Sequence, residues 1–122
     1  MSKIQSHRDL ILWQKAMDLV VHVYRLTTPF PYSETHRLVA QMTRSAASVP
    51  ANIAEGHARG TRKEFANFLA LAKGSLMETE TFLMLAIRLG YLKRTEAESV
   101  LELVTEISKI LTAIRGKLLR PA

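Results

Sequence analysis

Apolar residues recur three and four positions apart through most of this chain, the spacing that gathers them on one face of an α-helix. Breaks at Pro29-Phe30-Pro31, Gly60 and Gly90 cut the pattern into four stretches. They predict helices over about residues 10–27, 34–58, 62–89 and 96–119, with no alternating run to suggest a strand. Asp9 stands where the first helix wants a cap, and Thr61 with Glu64 and Thr95 with Glu98 have capping-box spacing before the third and fourth. Connections this short make successive helices antiparallel. The expected fold is all-α: one up-down-up-down four-helix bundle domain spanning residues 1–122.

Two helices carry more than a core-facing stripe. In the first, Gln14, Lys15, Asp18, His22 and Arg25 share an arc of about 100° and the rest of the surface is apolar, wider than a monomeric bundle needs. With the row Trp13, Ala16, Met17, Val20 and Tyr24 assigned to the core, the surplus row Leu12, Leu19, Val23 and Leu26 predicts an interface with another subunit. The second helix has an apolar stripe (Leu38, Met42, Ala46, Val49, Ile53), an alanine stripe (Ala40, Ala47, Ala51, Ala54, Ala58) and a polar face poor in charge. On that face Gln41, Ser48, Asn52 and Glu55 are expected to form a structural polar network. Pro50 removes the amide that would bond the Ala46 carbonyl, which predicts a kink, with Ser45, Ser48 and Asn52 at hand for the released carbonyls. The third helix presents an inner row from Phe65 to Ile87 through Leu69, Leu76, Thr79 and Leu83. The fourth is one-sided, with Val100, Val104, Ile107 and Leu111 opposite Glu98, Glu102, Glu106 and Lys109.

Composition permits such a core: 122 residues, 48% hydrophobic and 23% charged. There is no cysteine, hence no disulfide or thiolate metal site. The opening residues lack the apolar core of a signal peptide and no run is long enough to span a bilayer, so a soluble, cytoplasmic protein without membrane contact is expected. Net charge is +6, and the topology concentrates it. Lys3, Arg8, Arg59, Arg62, Lys63, Arg115, Lys117 and Arg120 fall at one end against Asp9, Glu55 and Glu64. A ring of subunits with these ends aligned makes a positive collar for RNA or DNA phosphates. The competing account is that Arg59, Arg115 and Lys117 merely complement helix dipoles. The basic end would then be solvated surface, on an interaction scaffold whose partner is another protein. No recognition helix, aromatic platform or zinc knuckle is present, so nucleic-acid binding is expected to ignore sequence, through Arg8, Arg59, Arg62, Lys63, Arg115, Lys117 and Arg120.

Asn52, Glu55 and Arg59 share a helical face that invites a catalytic reading with Glu55 as base. No nucleophile or second base accompanies them, so no enzyme is expected. His7, His22, His36 and His57 are scattered, Glu78 and Glu80 diverge on helix 3, and no metal or other cofactor is expected. Gly56 and Gly60 read as brackets of a turn and form no phosphate loop. Met17, Met42, Met77 and Met84 read as core filling, as do Trp13, Tyr24, Tyr32 and Tyr91.

Several segments then match a known family. They are Asp9-Leu10-Ile11-Leu12-Trp13-Gln14-Lys15-Ala16; Gln41-Met42-Thr43-Arg44-Ser45-Ala46-Ala47-Ser48-Val49-Pro50-Ala51-Asn52-Ile53-Ala54-Glu55-Gly56; Lys63-Glu64-Phe65; Gly74-Ser75-Leu76; and Arg88 to Leu92. They resemble the bacterial four-helix bundle proteins first noted as products of intervening sequences in 23S ribosomal RNA genes. Helix 4 carries little of the signature, and Thr79 stands where the family pattern has leucine. The resemblance implies a homopentameric ring of antiparallel bundles, and a related branch, the accessory proteins of diversity-generating retroelements, binds nucleic acid through a basic surface. It implies no catalytic residues, and an architectural role for Pro50, Asn52 and Glu55.

Overall fold

The computed structural model describes residues 6–121. Among them are four α-helices and no strand: α1 (Ile11–Thr27), α2 (Ala40–Ala58), α3 (Arg62–Arg88) and α4 (Arg94–Leu118). Short turns, the 3-10 pieces His7–Asp9 and Tyr32–Glu34 and the π-helical Thr35–Val39, lead into α1 and α2. No helix among the described residues is long and apolar enough to cross a membrane.

The ends of the helices follow from local chemistry, with some differences from expectation. Leu10, not Asp9, holds the N-cap position of α1, which has no side-chain cap. The preceding turn is instead fastened by Gln14 Nε2, which donates to the Arg8 carbonyl at 2.9 Å. α1 stops where the Thr27 and Thr28 hydroxyls both donate to the Tyr24 carbonyl and Pro29 follows. α2 is regular only from Ala40, because Thr35–Val39 winds more widely. α3 begins as predicted, with the Glu64 amide donating to Thr61 Oγ1 at 3.1 Å. α4 begins two residues earlier than the Thr95 and Glu98 box proposes. The Lys93 amide donates to Glu96 Oε1 at 2.8 Å, since buried Leu92 has already turned the chain back onto the core. Gly60 and Gly90 have φ of +88° and +80°, left-handed values that glycine adopts without strain and that make both turns possible.

α1 packs on α2 and α4, and α3 packs on the same two helices, so the four stand at the corners of a square. The interior is filled by Met42 and Ile53 of α2, Leu69, Leu76 and Leu83 of α3, and Val100, Ile107 and Leu111 of α4. From α1 it takes Leu12, Leu19 and Val23, at 1%, 0% and 0% exposure. These three, read above as an interface with another subunit, lie in the subunit's own core, and Leu26 packs half-buried against it. The assignment of faces reverses except at Ala16, which is buried as expected. Met17 and Tyr24 are 40% and 55% exposed, and Trp13 and Val20 are half-buried at the surface. Branched aliphatic side chains fill the narrow interior, while the long methionine and ring side chains lie across its edge. The same holds for Met77, Met84 and Tyr32, which are exposed; of the methionines expected in the core only Met42 is there.

α2 and α3 meet along a polar seam within this apolar packing. Ser45 and Thr79 hydroxyls are 2.9 Å apart in the core, those of Ser48 and Ser75 are likewise 2.9 Å apart, and Asn52 Nδ2 donates to both the carbonyl and hydroxyl of Ser48. Each buried hydroxyl is satisfied, so the seam costs little and fixes how the helices align. The expected network is thus present around Ser48 and Asn52 but excludes Gln41, which is exposed and bonded to Arg44, and Glu55, which pairs with Arg59. Ser45 and Asn52 bond the carbonyls of Met42 and Ser48 and Ser48 bonds Ser75, so these side chains turn to partners other than the Ala46 carbonyl that Pro50 releases. Gly56, read above as a turn residue, is buried inside α2 where the two helices come closest.

At the other end of the bundle the Tyr91 hydroxyl donates to Glu34 Oε2 at 2.9 Å. That bond, then partial burial and the Glu34 charge, raise the Tyr91 pKa from 10.0, against a smaller lowering by Arg37. As pH climbs, the unfolded chain ionises first, so the stabilisation is whole below the unfolded value and is lost as pH rises through the folded one. Tyr91→Phe is expected to lower the melting temperature at neutral pH and to blunt its fall in alkali. Melting curves from about pH 8 to pH 11 test this, and an equally steep alkaline fall in both proteins would rule it out.

Candidate nucleic-acid interface

The predicted basic residues lie around the α2–α3 turn, the last turn of α4 and the lead into α1, but they do not share one fate. Arg62, at the first position of α3, donates through Nη2 to the Lys117 carbonyl at 2.7 Å and through Nε to the Leu118 carbonyl at 3.3 Å. It thereby caps the carbonyl end of α4, where the helix leaves acceptors unpaired. Arg115, half-buried on α4, donates through Nε to the Ala66 carbonyl of α3 at 3.1 Å. Arg59 lies between Glu55 Oε1 at 3.0 Å and Glu64 Oε2 at 3.8 Å, with its guanidinium carbon 5.0 Å from the centre of the Phe68 ring. Its charge is spent locally on two carboxylates.

Lys63, Lys117, Arg120 and Arg8 differ from these. All four are exposed, and none has a side-chain partner among the described residues. The Arg62 bonds hold the start of α3, which carries Lys63, beside the end of α4, which carries Lys117, with Arg120 just beyond. Arg8 sits on the turn His7–Asp9, which packs against α2. Lys3 lies outside the described residues. Three of the seven predicted contacts therefore serve the fold first, and the accessible charge belongs to the other four. Exposed ammonium and guanidinium groups of this kind suit phosphate oxygens without regard to base sequence.

Two apolar grooves flank the bundle. One, about 410 Å³ between α1 and α2, is lined by Trp13, Met17, Val20, Pro50 and the alanines Ala47, Ala51 and Ala54. The other, about 500 Å³ between α3 and α4, has a floor of Leu69, Met77, Leu111 and Leu119 and a rim of Lys73 and Arg115. Given the square packing, they lie on opposite sides of the bundle. The alanine stripe of α2 was visible in the sequence; the groove on α3 and α4 was not, because Gly74 and Gly116 shape it by lacking side chains. No group of three or more histidine or acidic side chains among the described residues is placed to hold a metal.

The sequence has no match among curated proteins. Among solved structures, it is similar to a protein of unknown function from the S23 ribosomal protein family of Bacteroides thetaiotaomicron VPI-5482. The two share 31% identity over 86% of this chain and 98% of that one, with a TM-score of 0.75. The profile of the 23S rRNA-intervening sequence proteins matches residues 8–113, from the turn before α1 to near the end of α4. With nearly the whole bundle inside that match, the chain belongs to the 23S rRNA-intervening sequence protein family.

Proposed function

We propose that this protein is a non-enzymatic, ring-forming bundle of antiparallel helices that binds RNA or DNA phosphates, independently of sequence, through the end bearing Lys63, Lys117 and Arg120. The observation that carries this reading is the gathering of unpaired cations at the α3–α4 junction. The helix order is supported by cross-contacts that run in opposite directions: Ser45 to Thr79 and Ser48 to Ser75, Arg62 to Lys117 and Lys73 to Thr112, Lys15 to Glu106 and His22 to Ser99. The ring is supported by the two apolar grooves on different sides, since a contact between unlike faces repeats from subunit to subunit and closes into a ring when the rotation between neighbours divides a full turn; the family resemblance implies five subunits. Against catalysis, Asn52 is turned to Ser48 and exposed Glu55 to Arg59, and neither lines either apolar groove. The apolar grooves also suit a second reading, a scaffold for a different protein.

Binding to a short single-stranded RNA and to duplex DNA at about 50 and 200 mM salt, with light scattering in the same buffers, tests both parts. We expect an oligomer whose affinity falls by about two orders of magnitude or more between those salts. A monomer would end the ring reading. An oligomer with no measurable binding would end the nucleic-acid reading and leave the scaffold.

A further inference from the structure

Beside the free cations is a small notch with aromatic walls. It holds about 240 Å³ and is lined by His57 at the end of α2, Gly60, Thr61 and Arg62 at the turn, Phe65 on α3 and Leu118 on α4. The His57 and Phe65 rings meet edge to face, centroids 5.6 Å apart and planes at 88°, so they form two perpendicular aromatic walls. Both are half-buried and held by their helices. Arg62 is fixed at the rim by its two carbonyl bonds, and Gly60 leaves the approach open, with no atom within 4 Å of where a Cβ would stand. Lys63 neighbours Arg62 in sequence, and Lys117 and Arg120 flank Leu118.

We infer that this notch takes one unpaired nucleobase of a single strand, its face stacked on one of the two perpendicular rings of His57 and Phe65 and its edge against the other, while the neighbouring cations hold the phosphates on either side. Flat aromatic walls in a cationic surround are what base stacking requires, and stacking tolerates any base because each has a π-face. A paired base in a duplex offers no free face, so the notch selects single strands. The inference rests on the nucleic-acid reading above and adds a strand preference to it.

The probes are a ten-nucleotide oligo-dT, an abasic strand of the same length and charge, and a duplex of matched length, with native protein and His57→Ala. The oligo-dT is expected to bind at least about tenfold more tightly than the abasic strand and more tightly than the duplex. His57→Ala should erase most of that difference while leaving abasic affinity unchanged; circular dichroism and light scattering establish that the variant is intact. If the variant is not intact, quenching of 2-aminopurine placed in the strand and bound to native protein is the deciding readout. Equal binding of the oligo-dT and abasic strands, or an unquenched probe, would overturn the notch and leave the phosphate reading standing. Binding of no strand would overturn both.

Discussion

Gly56→Ala is expected to destabilise the bundle by about 2 kcal/mol, although alanine is the better helix former. A Cβ at this position would sit 2.5 Å from Phe68 Cβ and 3.2 Å from Phe65 Cδ1. The nearer atom is fixed to the backbone of α3, so no rotamer change relieves the clash. The helices must separate, and with them the Ser48 to Ser75 bond and the packing of Ile53 and Leu69. Overpacking of this kind costs typically 1–3 kcal/mol, here about 3, against about 1 kcal/mol gained in helix propensity. Gly74→Ala is the control. It is exposed in mid-helix with nothing in the subunit within 4 Å of its Cβ, so, where light scattering shows the subunit number unchanged by filling the α3–α4 groove, it should gain up to about 1 kcal/mol. Urea unfolding at equal subunit concentration distinguishes the two. Stabilisation by both would mean that α2 and α3 are not in close contact.

The second large effect separates the free cations from those employed by the fold. Changing Lys63, Lys117 and Arg120 together to alanine should lower affinity for a single strand by about two orders of magnitude at low salt. It should also reduce the slope of log affinity against log salt by about one for each phosphate that is no longer neutralised, with stability almost unchanged. Arg62→Ala should do the reverse in emphasis. It removes two charge-assisted bonds to the end of α4 and costs about 1 kcal/mol, while the salt slope falls by no more than about one. If the triple variant binds as well as the native protein, the phosphate site is elsewhere. If Arg62→Ala alone abolishes the salt dependence in a fully folded protein, the division between employed and free cations is mistaken.

The helices were legible in the sequence because their punctuation is local. Proline after Thr28, glycine at Gly60 and Gly90, and threonine three residues before Glu64 act through their own backbone and do not depend on what packs above them. The facing of α1 was not legible. Two full apolar rows flank Ala16, and periodicity ranks both alike; which one enters the core depends on the shapes of the other three helices. Gly56 was misread for a similar reason, since the need for a missing side chain arises from Phe68, twelve positions away. For the candidate site, the clustering of charge followed from topology alone. The engagement of Arg62 and Arg115 did not, because their acceptors are backbone carbonyls, and every residue has one; that of Arg59 by Glu55 is an i, i+4 pair open to reading from the sequence.

The polar seam between α2 and α3 also bears on how the chain finds its shape. Its partners are 27 and 34 residues apart, whereas the bond from His22 to Ser99 that joins the outer helices spans 77. Bringing chain segments together costs entropy that rises with the logarithm of their separation, so the central pair closes at a lower cost than the outer one. A central pair of helices that closes first, with its hydroxyls matched and Gly56 seated against Phe68, would serve as a template. The two ends of the chain would then lose freedom only in docking against a surface already formed.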